Sequence, residues 1–147
     1  MVGFRTALTR TVNAYGKNIY PTPVENTYLK SPKVEQVFLI GDKQEYITAI
    51  LVPSRESLQD EFKLSDDFFN VPETFITDEK MINWVDEDIK QLSNELAKFE
   101  RIKHFKLKRN PFTIEDGEIT PTLKAKRKVI EQKYADAISS MYTEDES

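Results

Sequence analysis

The chain has 147 residues, of which 39% are apolar and 31% are charged, and its formal net charge is −4. These values are typical of one polar globular domain with a core of its own, and no apolar run reaches the ~20 residues of a membrane-spanning helix. The absence of cysteine excludes disulfides, thiolate nucleophiles and cysteine metal sites, and suits a cytoplasmic protein. The single histidine, His104, lies in an alternating stretch and is interpreted as a strand residue, so we predict no metal site and no Ser-His-Asp triad.

Charge is distributed unevenly along the chain. Residues 55–97 hold twelve acidic and four basic side chains, whereas residues 98–128 hold ten basic and four acidic ones. This segregation favours a basic surface that meets an anion, although solvated faces of unrelated elements would give the same counts. A nucleic-acid binder built on "KHFKLKR" and "LKAKRK" is the alternative, but the isoelectric point near 5.2 argues against it.

The first thirty residues predict a loop that leads into a helix. Residues 1–15 contain two arginines and no acidic side chain, which is typical of a poorly specified chain start rather than of an organelle transit peptide. The stretch 15–25, "YGKNIYPTPVE", is either a plain connecting loop or an exposed functional one. Thr22 followed by Pro23 and Glu25 matches a capping pattern, so a helix is predicted from Pro23 to about Lys30.

The next segments predict a β-hairpin and a short helix. Two β-rich runs, 34–40 and 46–52, are joined by the turn-forming sequence "GDKQE". Ser54 is expected to cap a helix that ends near Phe62. Residues 63–77 are expected to be irregular.

The second half of the chain predicts two longer helices around a third strand. From Asp78 the apolar residues follow helical spacing and form one stripe, which comprises Ile82, Val85, Ile89, Leu92, Leu96 and Phe99. "HFKLKR" alternates like a strand, and Asp116-Gly117 predicts a turn. Thr120 and Pro121 predict the start of a last helix that extends to about Tyr142. The expected fold is α+β: a small sheet of about three strands with helices packed on it.

The predicted start of the last helix raises an electrostatic question. Its first two turns would carry four cations, namely Lys124, Lys126, Arg127 and Lys128, although the helix dipole is positive at this end. An anion bound there would explain the arrangement, because free N–H groups and an ammonium would converge on it. A solvated helix start is the alternative.

Residues 16–54 and 100–130 contain the motifs "GKNIYPTPVE", "VFLIGD" and "GEITPTLK" in this order. By this ordered combination the sequence resembles the C-terminal domain of long-chain fatty acid–CoA ligases, which belong to the AMP-forming acyl-CoA synthetases. The resemblance spans about residues 16–142, which we expect to be the domain, preceded by a non-matching segment 1–15 and followed by an acidic tail 143–147. No hinge residue can be placed, because 1–15 does not match the family pattern.

The resemblance implies an enzyme that activates a fatty acid with ATP and transfers the acyl group to coenzyme A through an acyl-adenylate. The small C-terminal domain of such enzymes swings between two poses. In one pose a lysine, here Lys124, is implied to bridge the carboxylate and the α-phosphate as the catalytic residue. In the other pose a loop, here Gly16, Lys17 and Asn18, is implied to line the coenzyme A path. Arg101, Lys103 and Lys126 are candidate contacts to coenzyme A phosphates.

The resemblance also implies what this chain lacks. The N-terminal adenylation domain, which carries the ATP site, is expected as a partner in cis or in trans, with fatty acid and coenzyme A as substrates. ATP, coenzyme A and Mg²⁺ belong to the complete enzyme, and none is expected to bind tightly to this domain alone. The chain by itself is expected to be inactive, as a truncated gene product, an engineered fragment or half of a split enzyme.

Two further expectations follow from the resemblance. The complete enzyme is expected in the cytoplasm, with peripheral membrane association as an alternative. A non-catalytic remnant or a module that binds coenzyme A or a protein is the alternative function.

Overall fold

The computed structural model describes residues 11–143. The interpretation of residues 1–15 as a separate segment therefore falls largely outside the described residues, as does most of the acidic tail. Within these described residues six strands form two sheets, and in chain order they are β1 (Thr11–Val12), β2 (Asn18–Ile19), β3 (Val34–Ile40), β4 (Ile47–Pro53), β5 (Phe75–Ile76) and β6 (Ile102–Lys108).

The main sheet has four strands in the spatial order β3-β4-β6-β5. β3 and β4 form the predicted antiparallel hairpin, with Phe38 opposite Ile50. β4 and β6 run parallel, and β5 adds two residues antiparallel to the end of β6. The expectation of about three strands is confirmed, and the fourth is the short edge strand β5. The first 3₁₀ turn, Asp66–Phe69, and β5 both lie in the segment that the sequence pattern left irregular.

Residues 11–143 also form five helices: α1 (Pro21–Tyr28), α2 (Arg55–Phe62), α3 (Glu79–Ser93), α4 (Arg127–Lys133) and α5 (Ala135–Thr143). Ser54 caps α2 as predicted and accepts a hydrogen bond from the Ser57 N–H at 3.3 Å. The predicted start of α1 is wrong by two residues, because Tyr20 is the N-cap residue and makes no side-chain capping bond. Pro21 has no N–H to satisfy and so fits the first helical position as well as Pro23 does.

α3 begins as predicted and ends earlier than its apolar stripe suggests. The Asp78 carboxylate accepts hydrogen bonds from the N–H groups of Lys80 and Met81 at 2.9 and 3.2 Å. The helix ends at Ser93, so Leu96 lies in the loop that follows, and Phe99 lies in a second 3₁₀ turn, Lys98–Glu100. Apolar spacing alone extends a helix beyond its end whenever the following loop also packs against the core.

Both faces of the main sheet are covered, because alternate residues of its central strands point to two separate cores. On the first face Val37, Leu39, Ala49 and Leu51 pack with side chains of α1, α2 and α3. On the second face Phe38, Ile40, Ile50 and Val52 pack with Phe112, Ile119, Ile130, Tyr134 and Met141. The sheet is therefore the middle layer of a three-layer α+β fold.

Candidate functional site

Lys124 lies in a tight hairpin and not in a helix. We call residues 119–125 the Lys124 loop, because Ile119 and Ala125 form an antiparallel bridge that closes it. The Leu123 N–H donates to the Thr120 carbonyl at 2.8 Å, the bond of a β-turn with Pro121 in its second position. Leu123 itself has a positive φ of 65°. The predicted helix start at Pro121 is therefore wrong, and α4 begins at Arg127.

The error has a physical cause in Thr120 and Pro121. Proline at the second residue of a β-turn and proline at the first residue of a helix share the same φ. The Thr120 hydroxyl does accept a backbone N–H, but the donor is Lys124 at 3.0 Å, and the Thr120 N–H returns a bond to the Lys124 carbonyl at 2.8 Å. These two bonds close a loop in place of a helical turn. Of the four cations predicted at the helix start, only Arg127 and Lys128 lie in the first turn of α4, because Lys124 and Lys126 precede the helix.

The loop presents the Lys124 side chain to solvent. Lys124 is exposed, and within residues 11–143 its ammonium makes no hydrogen bond or ion pair. The loop below it is anchored, because Leu123 and Ala125 pack against the core on the second face of the sheet. The geometry places a solvent-exposed ammonium on an anchored loop, which suits electrostatic contact with an anionic ligand.

Gly16 lies at the turn of a second hairpin, formed by β1 and β2, which we call the Gly16 hairpin (residues 11–19). The Asn13 side-chain oxygen accepts the N–H groups of Tyr15 and Lys17, both at 2.9 Å, and so brackets the glycine. Gly16 has a φ of 79°, and a Cβ there would meet no atom within 4 Å. Within this chain glycine is therefore required by backbone conformation and not by lack of space.

The Gly16 hairpin is exposed at its tip and fixed at its base. Gly16, Lys17 and Asn18 are exposed, and Tyr15 is 70% exposed. The hairpin bonds to the turn between β3 and β4, since Ala14 N–H donates to the Gln44 carbonyl at 2.8 Å. Ile19 packs into the core on the first face of the sheet.

The two loops therefore anchor on opposite faces of the main sheet. Ile19 of the Gly16 hairpin belongs to the first core, and Leu123 of the Lys124 loop packs on the second.

The three candidate phosphate contacts do not lie together. Ile102 pairs with Ile47 at the start of β6 and β4, so Arg101 and Lys103 flank the sheet end where the β3–β4 turn lies. Arg101 donates from Nε to the Leu96 carbonyl at 3.1 Å, and the Lys103 ammonium lies 4.7 Å from the centre of the Tyr46 ring. Lys126 lies beside the Lys124 loop and is the N-cap residue of α4.

Sequence reasoning missed a buried polar cluster under the Lys124 loop. Glu118 is 0% exposed, and its carboxylate accepts a hydrogen bond from the Tyr134 hydroxyl and lies 3.2 Å from the Lys133 ammonium. Lys108 is 5% exposed and donates to the carbonyls of Asn110 and Pro111 at 2.6 and 3.2 Å. No periodicity marks these residues, because charged side chains are assigned to solvent unless their partners in the fold are known.

The buried cluster alters two ionisable groups. Burial raises the pKa of the Tyr134 phenol above its usual value, and the hydrogen bond to Glu118 acts in the same direction. Burial also lowers the pKa of the Lys108 ammonium, and Glu118 partly opposes that shift. The cluster thus keeps a carboxylate, a neutral phenol and two lysines in one compact group.

Within residues 11–143 no group of three His, Asp or Glu side chains is placed to hold a metal ion. No helix in the same range has the length and apolarity needed to cross a membrane.

Comparison with known families identifies the class of protein to which this fold belongs. The family model for the AMP-binding enzyme C-terminal domain matches residues 9–146, so the chain belongs to that family. A solved adenylation domain of the carboxylate reductase from Mycobacterium chelonae has the same fold, with a TM-score of 0.73 and 23% identity over 91% of this chain and 19% of that one.

The relatives of this chain include long-chain fatty acid–CoA ligases. FadD15, a long-chain-fatty-acid–CoA ligase of Mycobacterium tuberculosis, is 29% identical over 135 residues, which is 91% of this chain and 22% of FadD15. Human long-chain-fatty-acid–CoA ligase 1 is 32% identical over 133 residues, which is 88% of this chain and 19% of that enzyme. The chain thus spans about a fifth of the length of these relatives. The recognised family is confirmed.

Proposed function

We propose that this chain is the C-terminal domain of a long-chain fatty acid–CoA ligase and that it donates Lys124 to the adenylation step. The observation that carries the proposal is the exposed Lys124 ammonium on an anchored loop, without a partner among residues 11–143. The family match over residues 9–146 and the similarity to FadD15 and human ligase 1 support the assignment of the chain to this kind of domain.

The chemistry that a lysine supplies there is electrostatic. A carboxylate oxygen attacks the α-phosphate of ATP and pyrophosphate leaves as the bond to the β-phosphate breaks. Two anions approach each other in this step, and an ammonium that contacts both lowers the repulsion. Such a preorganised charge contributes most where negative charge concentrates in the transition state. Lys124 would neutralise and orient, and it would transfer no proton. ATP and Mg²⁺ would be held by the N-terminal adenylation domain, which is the proposed partner.

The Gly16 hairpin is proposed to serve the second half-reaction. Gly16, Lys17 and Asn18 would line the coenzyme A path, with Arg101 and Lys103 near the same end of the sheet as candidate contacts for its phosphates. Lys126 would be available on the side of Lys124 instead. The anchoring of the two loops on opposite faces supports a domain that reorients between the half-reactions. We propose a cytoplasmic location for the complete enzyme.

The test is restoration of fatty acid–dependent ATP–pyrophosphate exchange. The 147-residue chain is added to the N-terminal part of a long-chain fatty acid–CoA ligase that lacks its own C-terminal domain. We expect the chain to be inactive alone and to restore exchange in the mixture. Lys124→Ala should lower the restored rate by about 100- to 1000-fold, the range for loss of one charge-stabilising group.

Lys128→Ala is the matched control, because Lys128 is also exposed but lies in the first turn of α4. It should change the restored rate by less than about twofold, since exposed charges away from a site contribute little. Equal exchange with Lys124→Ala and with the unaltered chain would refute the role of Lys124. Coenzyme A binding by the chain with no restored exchange would favour the alternative, a non-catalytic binding module.

A further inference from the structure

The Lys124 loop is connected to the rest of the domain through the residue at its base, Glu118. The Glu118 carbonyl accepts the Lys126 N–H at 2.8 Å, one step beyond the Ile119–Ala125 bridge that closes the loop. Lys126 is also the N-cap residue of α4. The backbone of Glu118 therefore joins the loop to the start of α4.

The side chain of Glu118 joins the loop to the other end of the same helix. Its carboxylate accepts the Tyr134 hydroxyl and meets the Lys133 ammonium at 3.2 Å, and these two residues are the C-cap and the last residue of α4. The second carboxylate oxygen accepts the Thr113 N–H at 3.3 Å, which ties the segment before the loop to the same group. Glu118 thus holds the loop against both ends of α4.

The contacts require a carboxylate at this position. An ionised carboxylate only accepts hydrogen bonds, and here three donors converge on it: an N–H, a phenol and an ammonium. A fully buried anion is costly unless it is paired in this way. An amide of the same shape would turn an NH₂ group toward donors, so the cluster would lose at least one of its bonds.

We propose that Glu118 is a positioning residue for Lys124: its buried carboxylate fixes the Lys124 loop against α4, so that the Lys124 ammonium is presented in one orientation. This proposal rests on the proposed function of Lys124 in adenylation. Glu118 is 0% exposed, so its action on the reaction passes through the loop and not through contact with the reacting groups.

The first arm of the test measures the loop in the 147-residue chain without any partner. In Glu118→Gln, amide hydrogen exchange of Lys124 and Lys126 should accelerate by about tenfold or more, because local opening becomes easier. Tyr134→Phe should act in the same direction with a smaller effect. Glu115→Gln is the matched control, since Glu115 is an exposed carboxylate on the same segment, and it should leave both amides unchanged.

The second arm separates the half-reactions after the chain is combined with the N-terminal part of a relative. Glu118→Gln should lower ATP–pyrophosphate exchange by about tenfold, which corresponds to ~1.4 kcal/mol. Thioester formation from preformed acyl-adenylate should change by less than about twofold, because Lys124 is not used in that step. A merely structural role would slow both half-reactions equally.

The two arms distinguish failure of this proposal from failure of the proposed function. Unchanged amide exchange in Glu118→Gln, or equal slowing of both half-reactions, would overturn the positioning role. If Lys124→Ala leaves ATP–pyrophosphate exchange intact, the proposed function fails, and the positioning role fails with it. If the unaltered chain restores no activity, faster exchange of the Lys124 and Lys126 amides in Glu118→Gln would still support the anchoring of the loop, and unchanged amides would refute it.

Discussion

Replacement of Gln36 by methionine should destabilise the domain by about 1–5 kcal/mol. Gln36 lies in β3, is 3% exposed, and its side-chain amide imitates a neighbouring strand. The amide donates from Nε2 to the Phe112 carbonyl at 3.3 Å and accepts the Phe112 N–H at 2.8 Å. Phe112 begins the segment that leads to Glu118 and the Lys124 loop, so this pair attaches the functional segment to the sheet.

The magnitude follows from the two hydrogen bonds and the change in side chain. Each buried backbone group that loses its partner costs about 1–3 kcal/mol. The apolar methionine side chain recovers roughly 1 kcal/mol by burial in place of the amide. Methionine has nearly the same length and is unbranched, so cavity and overpacking effects stay small.

Urea unfolding of the 147-residue chain measures the effect. The midpoint should fall in Gln36→Met while the denaturant slope is unchanged, which identifies a loss of stability and not a change in the denatured state. Gln132→Met is the matched control, because Gln132 is exposed on α4, and its effect should stay within ~0.5 kcal/mol. A loss of stability below ~0.5 kcal/mol in Gln36→Met would refute the inference that the Gln36 side chain attaches the segment beginning at Phe112 to the sheet.

Two further predictions concern alkaline stability and the Gly16 hairpin. Burial raises the pKa of three phenols, Tyr28, Tyr134 and Tyr142, the last to about 12. The folded state therefore keeps these phenols neutral at a pH where the same phenols ionise in the unfolded chain. Their contribution to the free energy of unfolding should be complete below about pH 10 and should be lost as the pH rises toward about 12. Gly16→Ala should cost about 1–2 kcal/mol through strain alone, because φ is 79° and a Cβ meets no atom within 4 Å.

Controls for both predictions lie in the same chain. Urea unfolding as a function of pH should show a smaller alkaline decline in Tyr142→Phe than in the unaltered chain, and an equal decline would contradict the assignment to buried phenols. Gly41→Ala is the contrast for Gly16→Ala. A Cβ at residue 41 would lie 3.2 Å from Ile47 Cγ1, so steric crowding, and not backbone strain, would destabilise that variant. An unchanged free energy of unfolding in Gly16→Ala would refute the strain argument.

Local sequence signals were sufficient where one residue type has one structural use. The β3–β4 hairpin was predicted because long β-branched runs flank a turn sequence. Ser54 was recognised as a helix cap because a short polar side chain just before a helix satisfies free N–H groups. The family followed from the ordered motifs of residues 16–54 and 100–130, and the matched range of residues 9–146 confirms it.

Local sequence signals gave wrong predictions where the same residues suit two different local structures. Thr120-Pro121 suits both a helix start and a β-turn, and the turn forms because Ile119 can pair with Ala125 while Leu123 packs on the second core. The choice therefore depends on contacts with strands far away in the chain. The same holds for the end of α3, where Leu96 continues the apolar spacing after the helix has ended at Ser93.

The sequence by itself determined the family, the α+β class, the hairpin of the central sheet and the choice of Lys124 as the residue to test. Only the tertiary structure decided that Lys124 stands on a closed loop, that the Gly16 hairpin anchors on the opposite face of the sheet, and that Glu118 is buried among three donors. The physical reason is that a charged side chain can be buried only when its partners are brought to it by the fold. Those partners, Thr113, Lys133 and Tyr134, have no pattern that marks them along the chain.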